Sequence, residues 1–438
     1  MTSNPSEAAP ATDSPTTYQA QIQRNLRWNM TVNIADGAFF WLAMSFAGPS
    51  TVMPLYVSHL TDSALLIGLV AGINNAGWYL PQLLTVGYVE RLPVKKRMVI
   101  NLGLFSERLP LLLMTLTVFA FAGRRPDVAL ALFFLTLTWH TLGAGAIAVA
   151  WQDMVAKVIP AGYRGRMLGW ANALGTTAGM VGSAVSAGIL ARYPFPINYG
   201  LCLSLLTVFL FASWGCLALT REPPQHTSRP VITLRQYLRR LPQILRTDRN
   251  YSLFLATRVL NAFAKMGVGF VTVYAARRWS LSDSQAGLYT TVLLAGEAVA
   301  YLSAGELGDR RGHKLVLEVG HVLLAVAMFM AVLAPAPVWM YPCFAAMGTL
   351  IAADLLSGIA ITMEFSHPDD RPTYIGLANT LPGLFSAVAP LLGGWIAARA
   401  GYTMLFLVAG GLSAITWVVL HWLVKEPRKA GGAAGSVG

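Results

Sequence analysis

Charged residues are scarce in this chain of 438 residues: Asp, Glu, Lys and Arg together make up 12% of it, about half the usual share in a soluble domain. Cysteine is scarce too, and Cys202, Cys216 and Cys343 all lie in apolar stretches without a disulfide pattern or metal-ligand spacing. The sequence contains no Walker-type phosphate loop and no constellation of catalytic residues. These absences argue against a disulfide scaffold, an ATP-driven pump and a membrane enzyme, and we expect no cofactor and no metal.

Apolar sequence, by contrast, is abundant. Hydrophobic residues make up 55% of the chain, and its mean hydropathy is +0.54. A transmembrane helix needs about 20 consecutive apolar residues, and each apolar run here is too long and too even for an alternating barrel strand. The sequence predicts an all-α membrane protein with twelve transmembrane helices, at residues 29–58, 64–88, 98–122, 128–156, 165–191, 196–219, 251–276, 284–307, 314–334, 337–365, 372–398 and 402–424.

The net charge of +12 follows the predicted topology. If the N-terminus is cytoplasmic, 23 of the 32 Lys and Arg residues fall on the cytoplasmic side and only six on the opposite side. Such an excess of cytoplasmic Lys and Arg sets the orientation of membrane proteins. We therefore expect both termini in the cytoplasm, a location in the inner membrane of a bacterium, and no binding of nucleic acid.

The longest polar interruption, residues 221–250, separates six predicted helices from six. We expect a disordered tail at 1–27, a first bundle at 28–219, a linker at 220–250, a second bundle at 251–424 and a second tail at 425–438. Within the linker, apolar residues recur at helical spacing between arginines, which predicts an amphipathic helix lying in the membrane interface. A regulatory or partner-docking helix is the alternative.

The two predicted bundles repeat each other. At an offset of 219 residues, Gly68 matches Gly287 and Arg91 matches Arg310. At an offset of 207, "GWANAL" (169–174) matches "GLANTL" (376–381). Parallel repeats of this kind are related by an axis along the membrane normal and place their binding site near mid-membrane, between the halves.

Residues 305–314, "GELGDRRGHK", carry a recognisable pattern. They resemble the signature loop of the major facilitator superfamily, Gly-x-x-x-Asp-Arg-x-Gly-x-Lys/Arg, and lie between predicted helices 8 and 9. A degenerate copy follows predicted helix 2. The resemblance covers about residues 28–424 and implies a monomeric secondary transporter that works by alternating access on a proton or sodium gradient. It also implies a cytoplasmic gate, made by Glu90, Arg91, Arg164, Asp309, Arg310 and Arg371; a basic turn that only sets topology is the alternative.

Ionisable residues inside predicted spans are costly and therefore point to function. The candidates for substrate binding or proton coupling are Asp36, His140, Arg258, Lys265, Glu297 and Asp354. We expect Lys265 to pair with Glu297 or Asp354, as a substrate or proton site or as a permanent ion pair. Arg108, on a helix that the resemblance assigns to the scaffold, is expected to pair with Glu107 or with an acid on helix 1.

Polar and aromatic residues suggest a cavity lining, although packing or an interfacial belt explains them equally well: Asn33, Trp41, Asn74, Asn75, Gln82 and Asn261. Helix 4 lacks the arginine of many proton-coupled exporters, because Trp139 occupies that place. The sequence indicates proton-coupled efflux of a small organic solute. The alternatives are an importer of a sugar or organic acid, and a sensor or scaffold that moves nothing.

Overall fold

The computed structural model describes residues 15–89, 91–224, 245–365 and 371–427. Within these ranges all regular structure is helical, and each of the twelve predicted spans forms a helix. Ten helical stretches are long and apolar enough to cross a membrane, and one of them, Gly376–Trp422, contains two spans. The first span is not among the ten because Asn29, Asn33 and Asp36 lower its hydropathy.

The first half contains the helices α1 (Pro15–Phe46), α2 (Val52–Leu60), α3 (Ala64–Val89), α4 (Lys96–Phe121), α5 (Pro126–Val158), α6 (Ala161–Arg192) and α7 (Ile197–Ala218). The short α2 completes the first span. The second half contains α8 (Arg249–Trp279), α9 (Ser284–Arg311), α10 (His313–Leu333) and α11 (Pro337–Phe365). The final stretch, Arg371–Trp422, is broken at Gly401, whose φ is +81°, into α12 (371–400) and α13 (402–422).

The ends of the chain differ in part from the expected tails. Helix α1 begins at Pro15, so residues 15–27 are helical and the prediction of a disordered tail to residue 27 was wrong for them. The predicted amphipathic linker helix falls almost wholly on residues 225–244, which lie outside the described residues. The same holds for most of the second tail, from residue 428 onward.

The two halves pack through close contacts of small residues. Helix α3 packs on α12, and α6 packs on α9. A Cβ atom added at Gly68 would collide with the carbonyl of Pro390, and one added at Gly287 would lie 2.5 Å from the backbone of Ala187. Backbones can approach this closely only where side chains are small, which is why the small-residue runs of α6 and α12 lie at this interface.

Bonds between the halves lie toward one face of the molecule. The described ends of both halves lie on one face of the molecule, which we call the terminal face. We call the opposite face the distal face. Asn25 and Arg221 are bonded at the terminal face, as are Asn250 and Lys425. The inter-half bonds between described residues lie at the distal face or near the helix midpoints: Thr51–Thr290, His59–Asp283, Asp62–Arg277, Asn75–Ser386 and Ser183–Thr291. Among the described residues, the bonds between the halves therefore lie away from the terminal face, and we infer a cleft between the halves that opens to that face.

Candidate functional site

A carboxylate on α11 joins three polar side chains of α8. Arg258, Asn261 and Lys265 are spaced i, i+3 and i+7, which puts them on one face of α8. Asp354 Oδ1 accepts a hydrogen bond from Arg258 Nη1 at 3.1 Å. Asp354 Oδ2 accepts from Asn261 Nδ2 at 2.5 Å and from Lys265 Nζ at 2.7 Å. We call these four residues the Asp354 cluster.

The Asp354 cluster is only partly shielded and carries excess positive charge. The side chain of Asp354 is 9% exposed, that of Arg258 19% and that of Lys265 34%. Two cations share one carboxylate, so the cluster has a net charge of +1. Of the two predicted partners of Lys265, Asp354 is the one that the structure brings to it.

Lys265 stands where α8 changes its helical form. The α-helical part ends at Ala264, and Lys265–Phe270 form a 3₁₀ turn before the α-helix resumes at Val271. A stretch of 3₁₀ helix inside a longer helix often marks a hinge or a functional site. The partly exposed side chain of Lys265 therefore lies at an irregular point in the middle of the second half's first span.

A small pocket lies beside Arg258, lined also by Gly358, Ile359, Thr362, Ala378 and Asn379. The Nε atom of Arg258 is buried without a hydrogen-bond partner among the described residues. The exposed Asn379 lies one helical turn before Gly383, which packs against Tyr79 of the first half. Asn379 therefore lies near the face of α12 that packs on the first half, one turn closer to the terminal face.

The internal repeat places two asparagines at corresponding positions. Asn379 matches Asn172 at the offset of 207. Asn172 Oδ1 accepts a hydrogen bond from Trp41 Nε1 at 3.1 Å, which joins α6 to α1. Asn379 lines the pocket beside Arg258 of α8. The repeat thus supplies a polar group beside the first span of each half.

The first half holds a second cluster of charges, the Arg108 cluster: Asp36, Glu107, Arg108, His140 and Ser213. Residues Leu104–Arg108 form a π-helical turn within α4. Arg108 forms an ion pair with its neighbour Glu107, one of the two kinds of partner that the sequence predicted. His140 Nδ1 donates to the carbonyl of Glu107 at 2.8 Å, and Ser213 Oγ donates to Asp36 Oδ1 at 2.6 Å. All five residues are buried.

Glu297 on α9 lies apart from both clusters. It is buried, and its carboxyl group has no hydrogen bond or ion pair with any described residue. A Cβ atom added at Gly348 of α11 would come within 3.1 Å of the backbone nitrogen of Glu297. Glu297 is thus held in a tight contact between α9 and α11 without a cation to neutralise it.

The predicted cavity residues do not form one group. Asn261 belongs to the Asp354 cluster, and Asn75 Nδ2 donates across the halves to the Ser386 carbonyl at 2.7 Å. Asn74 and Gln82 donate to carbonyls of their own helix. Asn33 donates to the Asn29 carbonyl and to Thr220 Oγ1 within the first half.

The structure describes only some of the residues of the predicted cytoplasmic gate. Arg164 donates to the carbonyls of Ile159 and Ala156 in its own half. Arg310 pairs with Glu306, one turn earlier on α9, and Arg91 is exposed. Glu90 and the side chains of Asp309 and Arg371 lie outside the described residues, so the gate stays a prediction.

Sequence reasoning missed Glu222, just after α7. Its fully buried carboxylate accepts the backbone N–H groups of Lys95 and Lys96 at 3.0 and 2.7 Å and pairs with Lys157 Nζ at 2.9 Å. These contacts tie α4, α5 and the start of the linker together at the terminal face. The sequence feature that could have indicated a role for Glu222 is the repeat of "REP" at 221–223 as "KEP" at 425–427.

Comparison with known proteins shows which family and which fold this chain is similar to. Residues 253–438 match the family model of the Major Facilitator Superfamily. The chain is 24% identical over 145 residues to the multidrug resistance protein MdtL of Vibrio parahaemolyticus, covering 33% of this chain and 37% of that relative. It is 22% identical over 389 residues to an uncharacterized MFS-type transporter of Methanocaldococcus jannaschii, covering 85% and 89%.

Two solved structures share the fold along nearly the whole chain. The nucleoside transporter NupG superposes with a TM-score of 0.66 at 12% identity, covering 90% of this chain and 98% of that one. A D-xylose-proton symporter superposes with a TM-score of 0.66 at 17% identity, covering 91% and 98%. The family model of the Major Facilitator Superfamily therefore covers the second half of the chain, and the twelve spans in two repeated halves, the signature loop at 305–314 and these matches give the chain the fold of a multi-pass membrane transporter of that superfamily.

Proposed function

We propose that the protein exports a small organic solute across the inner membrane of a bacterium and couples this export to proton entry. The Asp354 cluster is the observation that carries the proposal. A charged residue at the centre of a membrane helix costs at least about 2.5–3.5 kcal/mol on insertion scales. Here two cations and a carboxylate lie together midway along α8 and α11, and one of the cations, Arg258, also lines a small pocket.

The direction of transport rests on two supports. The excess of Lys and Arg at the terminal face favours a cytoplasmic position for that face, so the cleft opens toward the cytoplasm. The matches to multidrug resistance proteins of Vibrio parahaemolyticus and Klebsiella pneumoniae favour export of the solute. Import is the second candidate, because a cleft open to the cytoplasm serves either direction in an alternating cycle.

We assign the coupling proton to Glu297. Removing a buried charge from its partner is strongly unfavourable, and a carboxyl group escapes that penalty by binding a proton. Asp354 has two cations, and Asp36 lies near Arg108 with a bond from Ser213. Glu297 is buried and has neither a cation nor a hydrogen-bond donor among the described residues, and its helix, α9, also packs on α6 of the other half.

The test is transport in proteoliposomes with an imposed pH gradient, against a panel of organic solutes, followed by Glu297→Gln. The matched control is Glu306→Gln on the same helix, where the carboxylate is exposed and pairs with Arg310. Glu297→Gln should keep solute-for-solute exchange and lose accumulation driven by the pH gradient. Glu306→Gln should keep both.

Two outcomes would contradict the proposal in different ways. Gradient-driven transport that survives Glu297→Gln would move the proton site to another carboxylate, with Asp354 the next to test. Binding of a solute without movement above empty liposomes would favour the membrane sensor that the sequence also allowed.

A further inference from the structure

We infer that the solute is an organic anion whose carboxylate, or a similar oxyanion, binds to the two cations of the Asp354 cluster, Arg258 and Lys265. This inference rests on the proposed function, because it names the substrate class of the same site. It follows from the charge, the hydrogen-bond donors and the exposure of the Asp354 cluster.

Charge balance is the first step. In the Asp354 cluster one carboxylate faces two cations. Uncompensated charge is unfavourable in a region surrounded by hydrocarbon, and an anion entering from the cleft would supply the missing negative charge. Within the described residues, Arg258 and Lys265 have no second acidic partner. A cationic solute would instead add to the excess positive charge.

The second step is the supply of hydrogen-bond donors. Arg258 uses Nη1 for Asp354, while its Nε is buried and unpartnered among the described residues. Lys265 carries three donors, and the hydrogen bond that the structure assigns to it goes to Asp354. The planar guanidinium fork suits the two oxygens of a carboxylate. Asn261 Oδ1 is an acceptor that is also unpartnered among the described residues, so it is the two charged donors, Arg258 and Lys265, that favour an anion.

The third step is access. A third of the Lys265 side chain and a fifth of the Arg258 side chain are exposed, whereas Asp354 is almost fully covered. An anion arriving through the cleft meets the cations before it meets the carboxylate. Arg258 also lines a small pocket with Asn379, so an oxyanion head group can approach the guanidinium while the organic part of the solute stays in the cleft.

The test is equilibrium binding to the purified full-length protein by isothermal titration calorimetry. The probes are acetate, benzoate and naphthalene-2-carboxylate, each compared with its neutral amide. At least one carboxylate should bind ten times more tightly than its amide. Arg258→Gln and Lys265→Met should each weaken that binding at least tenfold, and Arg192→Gln, an exposed arginine at the distal end of α6, should not change it.

Asp354→Asn gives a result that a purely structural role would not give. Because Asp354 competes with the solute for the same cations, its neutralisation should tighten carboxylate binding. A protein of unchanged melting temperature that binds none of the carboxylates better than the amides would overturn the inference. If Arg258→Gln does not fold, Lys265→Met decides, because it leaves the Arg258–Asp354 pair in place.

Failure of the inference differs from failure of the proposed function. Carboxylate binding without gradient-driven transport would sustain the anion site and contradict proton-coupled export. Gradient-driven transport of neutral or cationic solutes, with no preference for carboxylates, would sustain proton-coupled export and overturn the anion site.

Discussion

Both halves of the molecule hold charges inside the membrane region, and the two clusters are built differently. In the Arg108 cluster the cation pairs with its own neighbour, Glu107, and every ionisable side chain is buried. In the Asp354 cluster the charges come from two helices, and both cations are partly exposed. With His140 neutral, the first cluster has a net charge of −1, and the second has a net charge of +1.

The charged residues of the Asp354 cluster have no charged counterparts at the corresponding positions of the first half. At the offset of 219, the positions of Arg258 and Lys265 correspond to Phe39 and Phe46, which both stack on Phe209. At the offset of 207, Asp354 corresponds to the buried Ile147. The first half thus fills with apolar side chains the places where the second half holds charge. We infer that the first cluster stabilises its bundle and that the second handles the solute.

Loss of Arg108 should have the largest effect, and the effect should be on stability. Arg108→Met leaves Glu107 with a buried carboxylate and no cation, which costs roughly 3–5 kcal/mol of unfolding free energy. Lys265→Met should cost less, because Asp354 keeps Arg258 and Lys265 is partly exposed. Thermal melting of the purified variants measures the contrast.

Glu107→Gln added to Arg108→Met should recover part of the loss, since the orphaned charge disappears. Equal melting temperatures for Arg108→Met and Lys265→Met would erase the distinction between the clusters.

Loss of Lys265 should affect transport more than stability. Removing a hydrogen bond between charged groups costs roughly 1.5–3 kcal/mol, which corresponds to a decrease in transport rate of about 10- to 100-fold. The double variant Lys265→Met with Asp354→Asn should stay inactive, and because it leaves Arg258 without a carboxylate, it should be no more stable than Lys265→Met. Initial rates in proteoliposomes at equal protein content are the measurement. Full activity of the double variant would reduce the Asp354 cluster to a structural ion pair.

The fold could be read from the sequence further than the site could. Length and apolar character are properties of single segments, so the twelve spans and the two halves were predictable. The shared face of Arg258, Asn261 and Lys265 was also within reach, since it follows from helical spacing. The partner of Lys265 could not be predicted, because Glu297 and Asp354 lie at similar depth. Only the rotation of α9 and α11 about their axes decides which of the two carboxylates faces Lys265.

Local departures from regular helix geometry could not be predicted from the sequence either. The π-helical turn at Leu104–Arg108 alters the direction of every side chain around it. The amino-acid composition of this segment does not indicate such a turn. The helix at residues 15–27 was missed because a sequence rich in Ser, Thr and Pro precedes it. Its junction with the bundle is fixed by contacts that are distant in sequence, such as the bond from Trp28 Nε1 to the Leu219 carbonyl.

His140 should show the smallest effect, and it is the sharpest check on the first cluster. Its Nδ1 donates to the Glu107 carbonyl inside the π-helical turn, so its role requires a donor and no change of protonation. The side-chain amide of His140→Asn can replace this donor, and the unfolding free energy should change by no more than about 1 kcal/mol. His140→Phe removes the donor and leaves a buried carbonyl unsatisfied, at a cost of about 1–3 kcal/mol. Both variants should keep transport driven by the pH gradient, measured against Glu297→Gln in the same liposomes. If His140→Asn melts normally but loses that coupling, the proton passes through the first half, and the division of labour between the two clusters is wrong.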